Sequence, residues 1–124
     1  MKYRVAIIVN HVLESFQLES ILNKSESYIL IGKAGSIGEF YALAKHMKTD
    51  VILVDFNIPE PLQAIRRLHR RYPVTTIIIL VDNEDKLVEK GLLVGAQGYL
   101  LKRTMSEDLF RTLDSAVRRE TPNT

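Results

Sequence analysis

Three charged side chains stand where apolar runs stop. Asp55 closes Val51-Ile52-Leu53-Val54-Asp55, Asp82 follows the run Thr76–Val81, and Lys102 follows Tyr99–Leu101. A carboxylate in such a place has two readings, a nucleophile or metal ligand and the opening carboxylate of a turn. A lysine within reach of both acids would pair with one or both of them. His11, just past the first apolar run, adds an imidazole, and a His with two carboxylates is a ligand set that suits a transition metal. No second His or acid lies at a fixed local spacing from it, so His11, Asp55 and Asp82 are expected to form a hydrogen-bonded polar rim with no metal. The chain has no cysteine, which excludes disulfides, thiolate zinc sites and a cysteine nucleophile.

These residues need a scaffold that gathers strand ends. Short β-branched runs recur at Tyr3–Val9, Tyr28–Ile31, Val51–Val54, Thr76–Val81 and Tyr99–Leu101. Unbroken apolar runs fit strands covered on both faces, as in a parallel sheet. Between them lie helical stripes: Leu13–Asn23 with Phe16 inward; Ile37, Phe40, Ala44 and Met47; Ile65, Leu68 and Tyr72; Val88 and Leu92; and Leu109, Leu113, Ala116 and Val117. Ser36 and Glu39 form a capping box, Ser106 is expected to open the last helix, and Pro73 and Gly95 close the third and fourth. The sum is five βα units in one α/β domain, flavodoxin-like, with strand order 2-1-3-4-5 and helices on both faces. In that architecture ligands bind beyond the carboxyl ends of the strands, which collects Asn10, His11, Asp55, Asn57, Val81, Asp82, Tyr99 and Lys102.

The 124 residues amount to one domain, with 1–120 expected folded and 121–124 a tail or the start of a linker. A net charge of +2 predicts no nucleic-acid binding by itself. No apolar run approaches the ~18 residues of a membrane helix, and no leader pattern is evident at the N-terminus, so a cytoplasmic protein is expected. Arg66, Arg67, His69, Arg70 and Arg71 form a basic run with two readings, a polyanion patch and the solvated face of an amphipathic helix. The solvated face is preferred, with Ile65, Leu68 and Tyr72 on the other face and no aromatic stacking residue interleaved on the exposed side. Gly32, Gly35 and Gly38 match neither a dinucleotide fingerprint nor a phosphate-binding loop.

Two segments in register resemble a known family. Asp50–Pro59 is similar to the phosphorylation-site segment of bacterial response-regulator receiver domains, and Gly95-Ala96-Gln97-Gly98-Tyr99-Leu100-Leu101-Lys102 to their segment with the switch aromatic and lysine. The stretch Ile31–Ala44 resembles their second helix and its approach, and the details are similar to receivers of NarL/LuxR-type transcription regulators. The resemblance implies a non-enzymatic signalling module in a two-component phosphorelay, with Asp55 accepting a phosphoryl group from a histidine kinase. It also implies a Mg²⁺ held by an acidic pair after the first strand, by Asp55 and by the Asn57 carbonyl. Lys102 would neutralise the transferring oxygens, and Tyr99 would be the switch aromatic.

Here the acidic pair is replaced by Asn10 and His11, and the hydroxyl residue after the fourth strand by Val81, with Asp82 next. Mg²⁺ binds through hard oxygens, chiefly carboxylates, so these changes weaken its site. Losing one preorganised donor typically costs ~10²–10³ in rate. The expectation is an atypical receiver with little or no Mg²⁺ binding and impaired phosphorylation, in which Lys102 pairs with Asp55, Asp82 or both. A working phospho-acceptor and a small-ligand or metal domain at the same crevice are the alternatives. The resemblance further implies a homodimer through the last two βα units, around Lys86, Lys90, Leu93, Phe110, Arg111 and Asp114, with DNA reached only through an effector domain outside this chain. Helical phase leaves open whether Phe110 is a surface anchor or core.

Overall fold

β-Branched side chains pack well on a pleated surface covered on both faces, and five such strands organise this chain. The computed structural model describes residues 2–118, in the order β1 (Tyr3–Ile8), α1 (Val12–Leu22), β2 (Tyr28–Ala34), α2 (Ile37–Ala44), β3 (Val51–Asp55), α3 (Pro61–Arg71), β4 (Thr76–Val81), α4 (Lys86–Val94), β5 (Gly98–Leu101) and α5 (Met105–Arg118). The strands are all parallel in the order β2-β1-β3-β4-β5, the flavodoxin-like arrangement expected. Pairing of β1 with β2 carries one register shift, between Val5 and Ala6.

Alternation along each strand divides the core in two. Val5, Ile7, Leu53, Ile78 and Leu80 pack with Leu18 and Leu22 of α1 and Leu109 and Leu113 of α5. Ala6, Ile8, Ile52, Val54, Ile77 and Ile79 pack on the opposite face with Phe40, Ile65, Leu68 and Val88 of α2, α3 and α4. The inner strands β3 and β4 are buried along their whole length, which gives the sheet a fixed register and fixes where the carboxyl ends lie.

Several expectations need correction. Phe16 is 62 % exposed and does not face the core. The buried line of α1 is Leu18–Leu22, and a residue two positions before Leu18 lies on the far side of the helix. Ser106 does not open the last helix, because a 3₁₀ turn over Lys102–Thr104 runs directly into α5 at Met105. Met47 lies beyond the end of α2 yet packs on Gly32, where an added Cβ would meet its terminal methyl at 2.7 Å. In α4, Leu92 is exposed and Gly91 is buried instead. A Cβ at Gly91 would stand 3.0 Å from both Ile79 and Phe56, so the missing side chain lets the helix approach the sheet. Gly95 does cap α4, at φ 143°, and a Cβ there would lie 2.6 Å from that of His69. The Ser36–Glu39 capping bond forms as expected, the Glu39 N–H donating to Ser36 Oγ at 3.1 Å. The expected tail, 121–124, lies outside the described residues.

Candidate functional site

Strand ends converge where the sequence places its charges. Asp55 is the last residue of β3 and is buried. Lys102 begins the turn after β5, and its ammonium lies 2.9 Å from Asp55 Oδ1 and 3.9 Å from Asp82 Oδ1. Both expected partners are therefore in reach. A third carboxylate was missed by sequence reasoning: Glu14 Oε1 stands 3.3 Å from the same ammonium. Glu14 lies four residues before Leu18 and eight before Leu22, so it shares the inward phase of α1. That spacing is the signal that could have found it. The charge hid it, because an acid in a first helical turn ordinarily reads as a solvated favourable contact with the helix dipole.

Burial alone would lower the Lys102 pKa, but its hydrogen bond to Asp55 and the charges of Asp55 and Glu14 outweigh it and hold the value above the usual 10.5. Lys102 is thus held protonated.

The surrounding loop is tied down in three places. Asn57 donates its backbone N–H to Asp55 Oδ1 at 3.0 Å and its side-chain amide to Asp82 Oδ2 at 2.6 Å. Arg103 donates to the Asp82 carbonyl at 3.1 Å. Tyr99 donates its hydroxyl to Glu84 Oε2 at 2.8 Å, and this bond, with partial burial and the charge of Glu84, raises the phenol pKa. Tyr99 is therefore fastened to the loop after β4. Val81 is buried in the apolar face of the sheet, while Asn10 and His11 are exposed beyond β1. The described residues contain no group of three His, Cys, Asp or Glu placed to hold a metal ion. Beside the cluster lies a cavity of about 490 Å³, lined by Asn10, Ile37, Asn57, Ile58 and Arg67 among others.

On the expected partner face, Leu93 is 85 % exposed and Lys86, Lys90 and Arg111 are open to solvent. Phe110 is half-buried, its ring 6.1 Å from that of Tyr28, and packs against the core. Asp114 is occupied by the Tyr28 hydroxyl at 2.6 Å. A second apolar patch, Val12, Leu13 and Phe16, is exposed at the start of α1.

A parallel five-stranded α/β domain with an aspartate at the end of its central strand and a lysine after its last defines the receiver class. The sequence matches the response regulator receiver domain over residues 5–114, and the chain belongs to that family, whose members work in two-component signalling. It is 36% identical over 117 residues to the transcriptional regulatory protein YdfI of Bacillus subtilis (strain 168), covering 93% of this chain and 55% of that protein. It is 27% identical to the nitrate/nitrite response regulator protein NarL of Escherichia coli (strain K12), covering 94% of this chain and 55% of that protein. The chain thus spans about half the length of these curated relatives. Among solved structures it is similar to the signal receiver domain of the NarL response regulator from Mycobacterium tuberculosis, with a TM-score of 0.79 at 28% identity, covering 93% of this chain and 96% of that one. The isolated RcsB receiver domain from Salmonella enterica serovar Typhimurium shares the fold, with a TM-score of 0.84 at 20% identity over 91% of this chain and 86% of that one. No helix among the described residues is long and apolar enough to cross a membrane.

Proposed function

We propose that this chain is an atypical receiver in which an internal ion cluster replaces Mg²⁺-dependent phosphorylation as the means of fixing the site's state. The observation that carries the reading is the Lys102 ammonium, which already lies against the carboxylates of both Asp55 and Glu14. Mg²⁺ requires near-octahedral oxygen ligands and gives up water reluctantly. The donors on offer fit it poorly: an amide and an imidazole follow β1, and the Asp55 and Glu14 carboxylates are turned to Lys102. Val81 has no hydroxyl to donate to a phosphoryl oxygen, and Asp82 adds negative charge beside the place where such oxygens would gather.

The chain then acts by binding rather than by catalysis. It serves as the regulatory module of a DNA-binding transcription regulator, and its output is dimerisation or partner contact through α4, β5 and α5. A histidine kinase or another regulatory protein is its upstream partner, and sequence-specific DNA contact is made through an effector domain of a longer protein. A small-ligand reading has one observation in its favour, the cavity of about 490 Å³ bordering Asn57.

Incubation with acetyl phosphate and Mg²⁺, followed by intact-mass measurement, tests the reading. We expect no phosphorylated species. A stoichiometric adduct on Asp55 overturns it and establishes a working phospho-acceptor. The combined changes Asn10→Asp, His11→Asp, Val81→Thr and Asp82→Ala should confer the reaction on the same chain. Dimerisation is read separately by sedimentation, where Leu93→Glu should shift the chain toward monomer.

A further inference from the structure

Arg66, Arg67, Arg70 and Arg71 occupy one side of α3, and each is exposed. At about 100° per residue they fan over roughly 140° of the helix, opposite the buried line Ile65–Leu68. The spacings i,i+3 and i,i+4 bring these like charges side by side, a mutually repulsive arrangement. No acid among the described residues relieves it, although Arg71 donates its Nε–H to the Tyr72 hydroxyl at 3.2 Å. No carboxylate lies within ion-pair distance of any of the four. The nearby acids are engaged elsewhere or lie apart: Glu39 accepts from the Gly35 N–H, Asp50 accepts from the Arg4 N–H, and Glu60 precedes the far end of the helix.

The face also has an aromatic seat that the spacing of α3 alone does not reveal. Tyr41 of α2 and Tyr72 flank Arg71, whose guanidinium lies 5.1 Å and 5.8 Å from their ring centroids. Tyr41, Arg67, Arg70 and Arg71 together line an open cleft of about 300 Å³. The solvated-face reading places Tyr72 on the apolar side of α3, with no aromatic among the exposed arginines; Tyr41 and Tyr72 do pack against the core, yet Arg71 reaches both rings.

We propose that this face binds the phosphate backbone of duplex DNA without reading its sequence. Charge complementarity demands an anion, and planar guanidiniums recognise phosphate in bidentate fashion. Two features favour a nucleic acid over an acidic protein surface. Protein interfaces are centred on buried apolar anchors, whereas no large apolar side chain of α2 or α3 is exposed. Clustered anchors lie elsewhere on this chain, at Val12, Leu13 and Phe16, whereas next to α3 the exposed apolar side chain is the single small Val74. A duplex is favoured over a single strand because Arg71 already lies over both tyrosine rings, leaving no free platform for a base. The arginines make no ion pair with the Lys102 cluster at the strand ends, and Arg67 alone of the four also lines the cavity that borders Asn57.

The test is fluorescence anisotropy of a short, random-sequence labelled duplex titrated with the whole chain across a range of salt concentrations. Three or four neutralised phosphates predict a slope of log K against log salt of about −3. The double variant Arg66→Gln/Arg70→Gln should bind about tenfold more weakly at low salt and reduce the slope by about 2. Lys2→Gln/Lys24→Gln, which alters exposed cations away from α3, should change neither. Far-ultraviolet circular dichroism and melting confirm that each variant is folded. Absence of saturable binding at low salt overturns the proposal, as does a slope unchanged in the arginine variant. Stronger displacement by polyglutamate than by unlabelled duplex of equal charge would assign the face to an acidic protein instead. Tighter binding of single strands would overturn the duplex assignment.

Discussion

Lys102 and the arginines of α3 carry the same charge in opposite circumstances. At the strand ends one cation serves three carboxylates, and its side chain is 13% exposed. On α3 four cations share a surface with no carboxylate in reach, and water is their solvent. The difference follows from dielectric surroundings. A charge removed from water must be matched inside the protein or it destabilises the fold by several kcal/mol. A charge left in water costs little unmatched, so its arrangement is free to be set by what it meets. Buried charge therefore reports on internal architecture, and unmatched exposed charge of one sign reports on partners.

The sharpest way to break this contrast is Lys102→Met. It leaves Asp55 buried beside Glu14 without a cation and should cost about 3 kcal/mol of unfolding free energy in urea. Adding Asp55→Asn should return most of that loss, and a double-mutant cycle measures the coupling. A neutral effect of Lys102→Met would mean that the cluster is not matched in the sense described.

The next effect is read in alkali. Lys102 has a raised pKa, so its contribution is fully present below the ordinary 10.5 and is lost as pH rises through the higher folded value. Tyr28, raised by burial and its hydrogen bond to Asp114, acts in the same direction above 10.0, as does Tyr99 through Glu84. Denaturation midpoints should therefore fall above about pH 10, and less steeply in Lys102→Met. Glu14→Gln keeps the shape but removes one partner, and should cost about 1 kcal/mol by the same urea measurement. The smallest change is Arg70→Ala. It removes the one like charge that neighbours both Arg66 and Arg67, and stability should stay within about 0.5 kcal/mol or rise slightly. A large loss would show that the arginine face supports the fold.

The sheet was legible in the sequence because its inner strands β3 and β4 are buried on both faces and so read as unbroken apolar, largely β-branched runs, with β1 buried over all but its first two residues. Asp55, Asp82 and Lys102 were legible for the same reason, as charges at the ends of such runs. Glu14 was not, since a charged residue in phase with Leu18 and Leu22 looks like the solvent side of a short helix. Phe16 misled in the opposite sense, because hydrophobicity suggested the core while helical phase put it outside. Ser106 misled because capping chemistry is local, whereas α5 grows directly from a turn set by Lys102. Tyr41 beside Arg71 is a contact between α2 and α3, and no spacing within either helix contains it.

The two margins of the sheet behave differently as templates for aggregation. At β2, Lys33 is ion-paired to Glu19 at 2.8 Å and Tyr28 is fastened to α5, so that margin is charged and held. The other margin, β5, is four residues long and covers β4, the run Thr76–Val81 that contains no charge and no proline. A six-residue segment of that kind is a ready nucleus for cross-β growth once uncovered. Detachment of β5, a small and local opening, is therefore the event that would convert β4 from an inner strand into an adhesive edge.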